Sequence, residues 1–327
     1  MSDLRLNPKL FHDDIEEEPI RAGFGRGLKE AGSDERIVAL CADLTESTQM
    51  HHFAEAYPER FFEIGIAEQN LASVGAGMAL AGRVAFISSY AAFSPGRNWE
   101  QIRTTIALNQ TNVKIVGSHA GVSVGPDGAT HQALEDIALM RVMPKMMVVV
   151  PCDSLEAERA TRALALTDTA AYLRLAREKT AIVTTVQTPF ELGKAQILRS
   201  GKDVTIIACG PLVYQSLLAA EQLAKHKTSA EVINCATIKP LDEATILASA
   251  KKTGAVVTVE EAQAAGGLGG AVAELLGDKL PSPLARIGMA DRFGESGQID
   301  ELWEHFGLSA PHIAKAAQNV IKRKAKS

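Results

Sequence analysis

The chain has 327 residues, 46% apolar and 22% charged, a size and balance that fit roughly two globular domains. Its 34 basic and 39 acidic side chains leave a net charge of −5, which excludes a nucleic-acid binder working through a broad positive field. A local basic pocket for a small phosphate stays compatible with that balance.

Residues 1–18, with Asp13, Asp14 and Glu16-Glu17-Glu18, read as a polar arm and lack the basic start and apolar stretch of a signal peptide. Short apolar runs then alternate with helix-like stretches, the pattern of an α/β protein with a largely parallel sheet. Strands are expected at 37–41, 61–64, 84–88, 113–116, 146–150 and 171–174, with helices at 21–30, 67–81, 98–108 and 155–166. The polar stretch Thr184-Thr185-Val186-Gln187-Thr188-Pro189 interrupts the series. A second set of strands follows at 204–208, 231–234, 256–259 and 284–287, and a helix at 313–326 ends in a basic tail. The expected division is an arm at 1–18 and two α/β domains at 19–188 and 189–327, each a mostly parallel sheet flanked by helices. Cys41, Cys152, Cys209 and Cys235 form no CxxC pair, which argues against a zinc ribbon or a disulfide framework and for buried reduced thiols in a cytoplasmic protein. No apolar run approaches the ~18 residues of a membrane span.

Three segments carry residues suited to chemistry. In Phe62-Glu63-Ile64-Gly65-Ile66-Ala67-Glu68-Gln69-Asn70 a strand leads into a helix with Glu68 in its first turn, where an acid commonly complements the helix dipole. In Phe86-Ile87-Ser88-Ser89-Tyr90-Ala91-Ala92-Phe93, Tyr90 and Phe93 sit just past a strand, as core residues or as the wall of a slot for a flat heterocycle. The glycine-rich loop from Ser118 to Gln132 holds His119, Asp127 and His131 at the end of a strand, where α/β proteins place ligands. Its two histidines are too far apart in sequence for a metal motif, and no Cys/His/Glu cluster accompanies them.

Glu68-Gln69-Asn70, Ser89-Tyr90-Ala91-Ala92-Phe93 and Asp127-Gly128-Ala129-Thr130-His131-Gln132, in this order, resemble the pyrimidine-binding domain of transketolase. The resemblance continues through Ala133-Leu134-Glu135-Asp136, Pro151-Cys152-Asp153, Thr237-Ile238-Lys239-Pro240-Leu241-Asp242 and Thr258-Val259-Glu260-Glu261, from about residue 19 to the end. The Gly-Asp-Gly signature of the family's diphosphate-binding domain is missing. The resemblance therefore implies the C-terminal subunit of a split transketolase, completed by a separate N-terminal, diphosphate-binding subunit in a heterotetramer of two chains each.

The implied cofactor is thiamine diphosphate, with Mg2+ held mainly by the partner subunit, and the implied reaction moves a two-carbon ketol unit from a ketose phosphate to an aldose phosphate in pentose phosphate metabolism. By resemblance, Glu68 hydrogen-bonds the aminopyrimidine nitrogen and favours the imino tautomer that generates the ylid, a task for a carboxyl able to hold a proton in a dry site. Tyr90 and Phe93 pack around the pyrimidine; many transketolases carry phenylalanine at the position of Tyr90. His131 matches a proton-transferring histidine, His119 a contact to the acceptor end or its phosphate, and Asp127 a reader of a sugar hydroxyl. Arg21, Ser47 and Arg177 match phosphate-binding positions, where a guanidinium fork suits the anion.

Gly266-Gly267-Leu268-Gly269-Gly270 lacks dinucleotide or P-loop spacing and reads as tight backbone packing. The closest competing reading is the beta subunit of a 2-oxo-acid dehydrogenase, which has the same domains and an activating glutamate; Asp127–Gln132 and the phosphate-binding candidates favour transketolase. A deoxyxylulose phosphate synthase shares the DG-x-THQ segment but is normally one chain. A non-catalytic partner subunit would have no need of Glu68 with both histidines. A nucleotide-binding dehydrogenase is disfavoured by the absence of Gly-x-Gly-x-x-Gly after an early strand.

Overall fold

The computed structural model describes residues 6–324. Residues 1–5 of the expected arm and 325–326 of the expected last helix lie outside the described residues. The strands are β1 (Glu17–Pro19), β2 (Ile37–Cys41), β3 (Phe61–Glu63), β4 (Val84–Tyr90), β5 (Val113–Ser118), β6 (Met147–Val149) and β7 (Ala171–Arg174), then β8 (Lys179–Ala181), β9 (Gln196–Arg199), β10 (Val204–Ala208), β11 (Ala230–Asn234), β12 (Thr237–Lys239), β13 (Val256–Gln263) and β14 (Leu284–Met289). One seven-stranded sheet runs β12-β6-β7-β5-β4-β2-β3 and is parallel except at β12; a five-stranded sheet runs β14-β13-β10-β11-β9 and is parallel except at β9. Strands β2, β5 and β10 are buried along their whole length, as parallel strands covered on both faces must be.

The two halves share more than the sequence pattern suggests. Strand β12, from the second half, pairs with β6 and closes the edge of the first sheet. One apolar core runs from Leu71, Ile87 and Ile115 to Ile207, Ile233 and Val272. The described part of the arm is not a free tail: Leu10 is buried in the second core, Leu6 bridges Thr184, and β1 pairs antiparallel with β8.

Helix Ile20–Ala31 packs against helix Ser154–Ala165 so closely that a Cβ on Gly23 would fall 1.7 Å from the Ser154 carbonyl oxygen. Asp153 caps the second helix through the Glu156 N–H at 2.7 Å and accepts from the Val183 and Thr184 N–H groups at 2.9 and 2.6 Å. The helix expected at 98–108 is one α-helical turn, Trp99–Gln101, continued by a π-helix, Ile102–Ala107. The Thr104 and Thr105 hydroxyls donate back to the Glu100 and Gln101 carbonyls at 3.0 and 2.6 Å, a competition that accompanies the widened ladder. Helix Leu268–Lys279, after the glycine run, points its first N–H groups at a carboxylate of the chain itself: Leu268 and Gly269 donate to Glu260 at 2.8 and 2.7 Å. Tight packing is thus what the glycines serve there. All four cysteines are buried free thiols. Among the described residues no helix is long and apolar enough to cross a membrane.

Candidate active site

Strands β2, β3, β4, β5 and β7 are parallel, so their C-terminal ends form one edge. Ser47 follows β2, Glu68 follows β3, Tyr90 ends β4 with Phe93 just beyond, His119, Asp127 and His131 follow β5, and Arg177 follows β7. Arg21 joins them from the first turn of helix Ile20–Ala31. The fold therefore gathers all nine predicted residues at the edge where parallel sheets place ligands.

Glu68 is the first residue of helix Glu68–Leu80 and is 1% exposed. Its Oε1 accepts from Ser89 Oγ at 3.0 Å and its Oε2 from Arg97 Nη1 at 2.9 Å. Asn98 Nδ2 donates to the Glu68 carbonyl at 2.9 Å. The Arg97 guanidinium lies 4.8 Å from the Phe93 ring centroid, so one cation touches both the acid and the aromatic wall.

That wall is a cluster of four rings. Tyr90 stacks on His119 with centroids 3.9 Å apart and on Phe93 at 6.0 Å. His131 meets Tyr90 and Phe93 edge-on at 6.1 and 5.6 Å. Tyr90 belongs to β4 rather than following it, so the strand fixes its ring. His119 adopts a left-handed backbone, φ 54°, uncommon outside glycine. It is buried, and burial followed by the Arg21, Arg177 and His131 charges pushes its pKa down to about 3. Its Nδ1 lies 2.9 Å from Ser118 Oγ, and His131 Nδ1 lies 2.9 Å from Thr130 Oγ1.

Arg21 donates through Nε to the Arg177 carbonyl at 3.1 Å and through Nη1 to the Ser47 carbonyl at 2.5 Å. Both partners are neutral, and among the described residues no carboxylate forms an ion pair with it. Ser47 thus contributes its main chain to this arrangement. Arg177 donates to the Val124 carbonyl at 2.9 Å and is flanked by Asp127 at 3.5 Å and Glu178 at 3.1 Å. Of the two arginines, Arg21 keeps the less compensated charge.

A buried network holds the histidine loop in place. Glu261, on β13, accepts from the Ser123 N–H at 3.1 Å and its hydroxyl at 2.9 Å. Arg174 lies 3.5 Å from Glu261 and 2.8 Å from Asp136, which also accepts from the Tyr172 hydroxyl at 2.6 Å. Gly121 enters this loop at φ +88°, where a Cβ would fall 2.5 Å from the Glu261 carboxylate, so glycine alone fits. Ser89, Arg97, Asn98, Ser123 and Glu261 were not singled out as site residues from the sequence. The signal for Arg97 and Asn98 is weak: one cation and one amide a few residues beyond the Tyr90–Phe93 motif.

Comparison with known proteins agrees over most of the chain. The family model for the transketolase pyrimidine binding domain matches residues 19–182, and that for the transketolase C-terminal domain matches residues 193–313. A putative transketolase C-terminal section from Methanocaldococcus jannaschii is 45% identical over 308 residues, covering 93% of this chain and 96% of its own. A 6-deoxy-6-sulfo-D-fructose transketolase subunit from a Clostridium species is 44% identical over 297 residues, covering 91% of this chain and 92% of its own. A solved structure described as a split gene transketolase, inactive beta4 tetramer, superposes with a TM-score of 0.88 at 42% identity, covering 94% of this chain and 99% of that one.

Proposed function

This chain belongs to the transketolase family, where it corresponds to the C-terminal subunit of split members, and on that premise we propose that it is half of a thiamine diphosphate-dependent ketol transferase. The observation that carries the reading is the buried Glu68 carboxylate beside the Tyr90–Phe93 wall, on the same strand edge as Arg21.

The residues present fit the pyrimidine end of the cofactor. A carboxylate offers about four lone-pair positions. Ser89 and Arg97 occupy part of that capacity, which leaves room for a ring nitrogen. The aromatic side chains supply flat apolar surface for a heterocycle. For the metal end the donor set is different: among the described residues no group of three or more His, Cys, Asp or Glu could hold an ion. In this proposal the diphosphate and its Mg2+ fall to a separate N-terminal subunit, two of each chain forming a heterotetramer. The relative described as an inactive beta4 tetramer supports the need for such a companion.

When bound, thiamine diphosphate supplies the electron-stabilising centre through which a two-carbon unit leaves one sugar and joins another. Glu68 shares a proton with the ring nitrogen from a water-excluded position. Tyr90 and Phe93 orient the ring. His131, the less buried histidine, moves a proton at a sugar hydroxyl. His119, neutral near pH 7, has its Nδ1 taken by Ser118 Oγ and offers Nε2 to the acceptor end. Asp127 accepts from a sugar hydroxyl, and Arg21, with Arg177 and the Ser47 segment, takes the phosphate. We place the domain boundary at 188/189, between the last strand of the first series and β9.

The test is ketol transfer from a ketose phosphate to ribose 5-phosphate with thiamine diphosphate and Mg2+. Activity in a mixture with a chain carrying the Gly-Asp-Gly signature, absent with this chain alone and lost in Glu68→Ala, is the expected result. Decarboxylation of a 2-oxo acid without transfer would move the chain to the dehydrogenase-subunit class. A sulfonated ketose belongs in the same assay, since one relative is named for such a sugar and a sulfonate presents a similar anion to Arg21.

A further inference from the structure

The Glu68 carboxylate takes no hydrogen bond from its own helix. The residue before it, Ala67, offers no side-chain cap, and the carboxylate is held entirely by groups from β4 and the segment that follows. Its two oxygens have unlike partners. Oε1 faces the Ser89 hydroxyl, which can donate or, by rotating, accept. Oε2 faces the Arg97 guanidinium, which can only donate and carries a permanent positive charge. A proton on Oε2 would sit beside a cation with no lone pair to receive it; Oε1 has only a neutral hydroxyl beside it, which can donate to one of its lone pairs and leave a proton there free to face the ring nitrogen. The guanidinium is steadied from its other side by the Phe93 ring, and Asn98, its neighbour in sequence, holds the Glu68 carbonyl while also reaching Ser94 Oγ at 3.2 Å.

We propose that Arg97 is a positioning residue that keeps Oε2 of Glu68 as an acceptor only, so that Oε1 is the oxygen that exchanges a proton with the cofactor's ring. This rests on the reading of Glu68 given above and adds the group that orients it. Arg97 itself is half-exposed, so replacing it tests the orientation of the acid more than the stability of the fold.

The experiment uses the complex of this chain with its diphosphate-binding companion, thiamine diphosphate with Mg2+ as the probe, and Arg97→Gln, Arg97→Lys and Glu68→Gln as variants. Near-ultraviolet circular dichroism of the bound pyrimidine reports its protonation and tautomeric state, which a merely structural role would not alter. For Arg97→Gln the expected result is a changed pyrimidine spectrum and a kcat lowered about 10- to 100-fold, the scale of one charge-assisted hydrogen bond. Cofactor Kd and sugar KM stay within about threefold, and Arg97→Lys recovers most of the loss. An unchanged spectrum and kcat in Arg97→Gln overturns the proposal, as does Arg97→Lys behaving no better than Arg97→Gln. Normal spectra and turnover in Glu68→Gln would instead remove the assignment of Glu68, and failure of the wild-type complex to bind cofactor would remove both.

Discussion

Replacing His119 by glutamine should change how stability depends on pH. In the folded chain burial, then the nearby Arg21, Arg177 and His131 charges, push the His119 pKa down to about 3. In the unfolded chain the same imidazole titrates near its ordinary value of about 6.5. Between those values the unfolded state binds a proton that the folded state refuses, so stability falls as pH drops below about 6.5 and keeps falling toward 3. Integrated from pH 7 to pH 5, one such group removes about 2 kcal/mol. Buried Glu260 works in the opposite direction, because burial pushes its carboxyl up to about 7 and its folded form is the better proton binder in that window. The informative quantity is therefore the difference between wild type and His119→Gln, in which Glu260 cancels. Urea denaturation followed by far-ultraviolet circular dichroism at pH 7 and pH 5, at one protein concentration, measures it. Wild type should lose about 2 kcal/mol more than the variant over that interval. Equal losses would show that His119 titrates freely, and would remove both its burial against Tyr90 and the role of a neutral imidazole at the acceptor end.

Three further outcomes follow from the geometry. Arg21→Ala should raise KM for a phosphorylated acceptor about 10- to 100-fold and leave an unphosphorylated one nearly unchanged, measured by steady-state transfer assays on both sugars. Lys114→Met should cost about 3 kcal/mol in urea denaturation, since Lys114 Nζ spends its protons on the Thr167 carbonyl, the Thr167 hydroxyl and the Thr169 carbonyl at 3.0, 2.8 and 2.6 Å. Turnover per folded molecule should not change, because Lys114 lies at the end of β5 remote from the site. Glu261→Ala should cost about 1–3 kcal/mol, because Ser123 loses its acceptor while buried Arg174 keeps Asp136 as its partner, and limited proteolysis should then cut the loop at 121–128 that Ser123 anchors.

The long buried strands were legible because parallel strands covered on both faces read as unbroken apolar runs, as in Ile37–Cys41 and Val204–Ala208. The strands Glu17–Pro19, Lys179–Ala181, Gln196–Arg199 and Thr237–Lys239 were not; they are short, partly polar and defined by their partners. Thr237–Lys239 in particular owes its place to pairing with Met147–Val149, far away in sequence, and for that reason the halves looked more separate than they are. At the site, the ordered motifs pointed to Glu68, the aromatic residues and the histidines. The partners of Glu68 were hidden, since Ser89 and Arg97 reach it only when the strand end and the following segment fold back over its helix. Backbone roles were hidden as well: Ser47 was expected at a phosphate-binding position, and it is its carbonyl that meets Arg21.

The central claim is that this chain holds half of a cofactor site. Titration calorimetry with thiamine diphosphate and Mg2+ tests it directly, on this chain alone, on a companion carrying the diphosphate-binding domain, and on the two together. The account predicts tight binding in the mixture alone, at one cofactor per pair of chains. Equally tight binding to this chain by itself would contradict it.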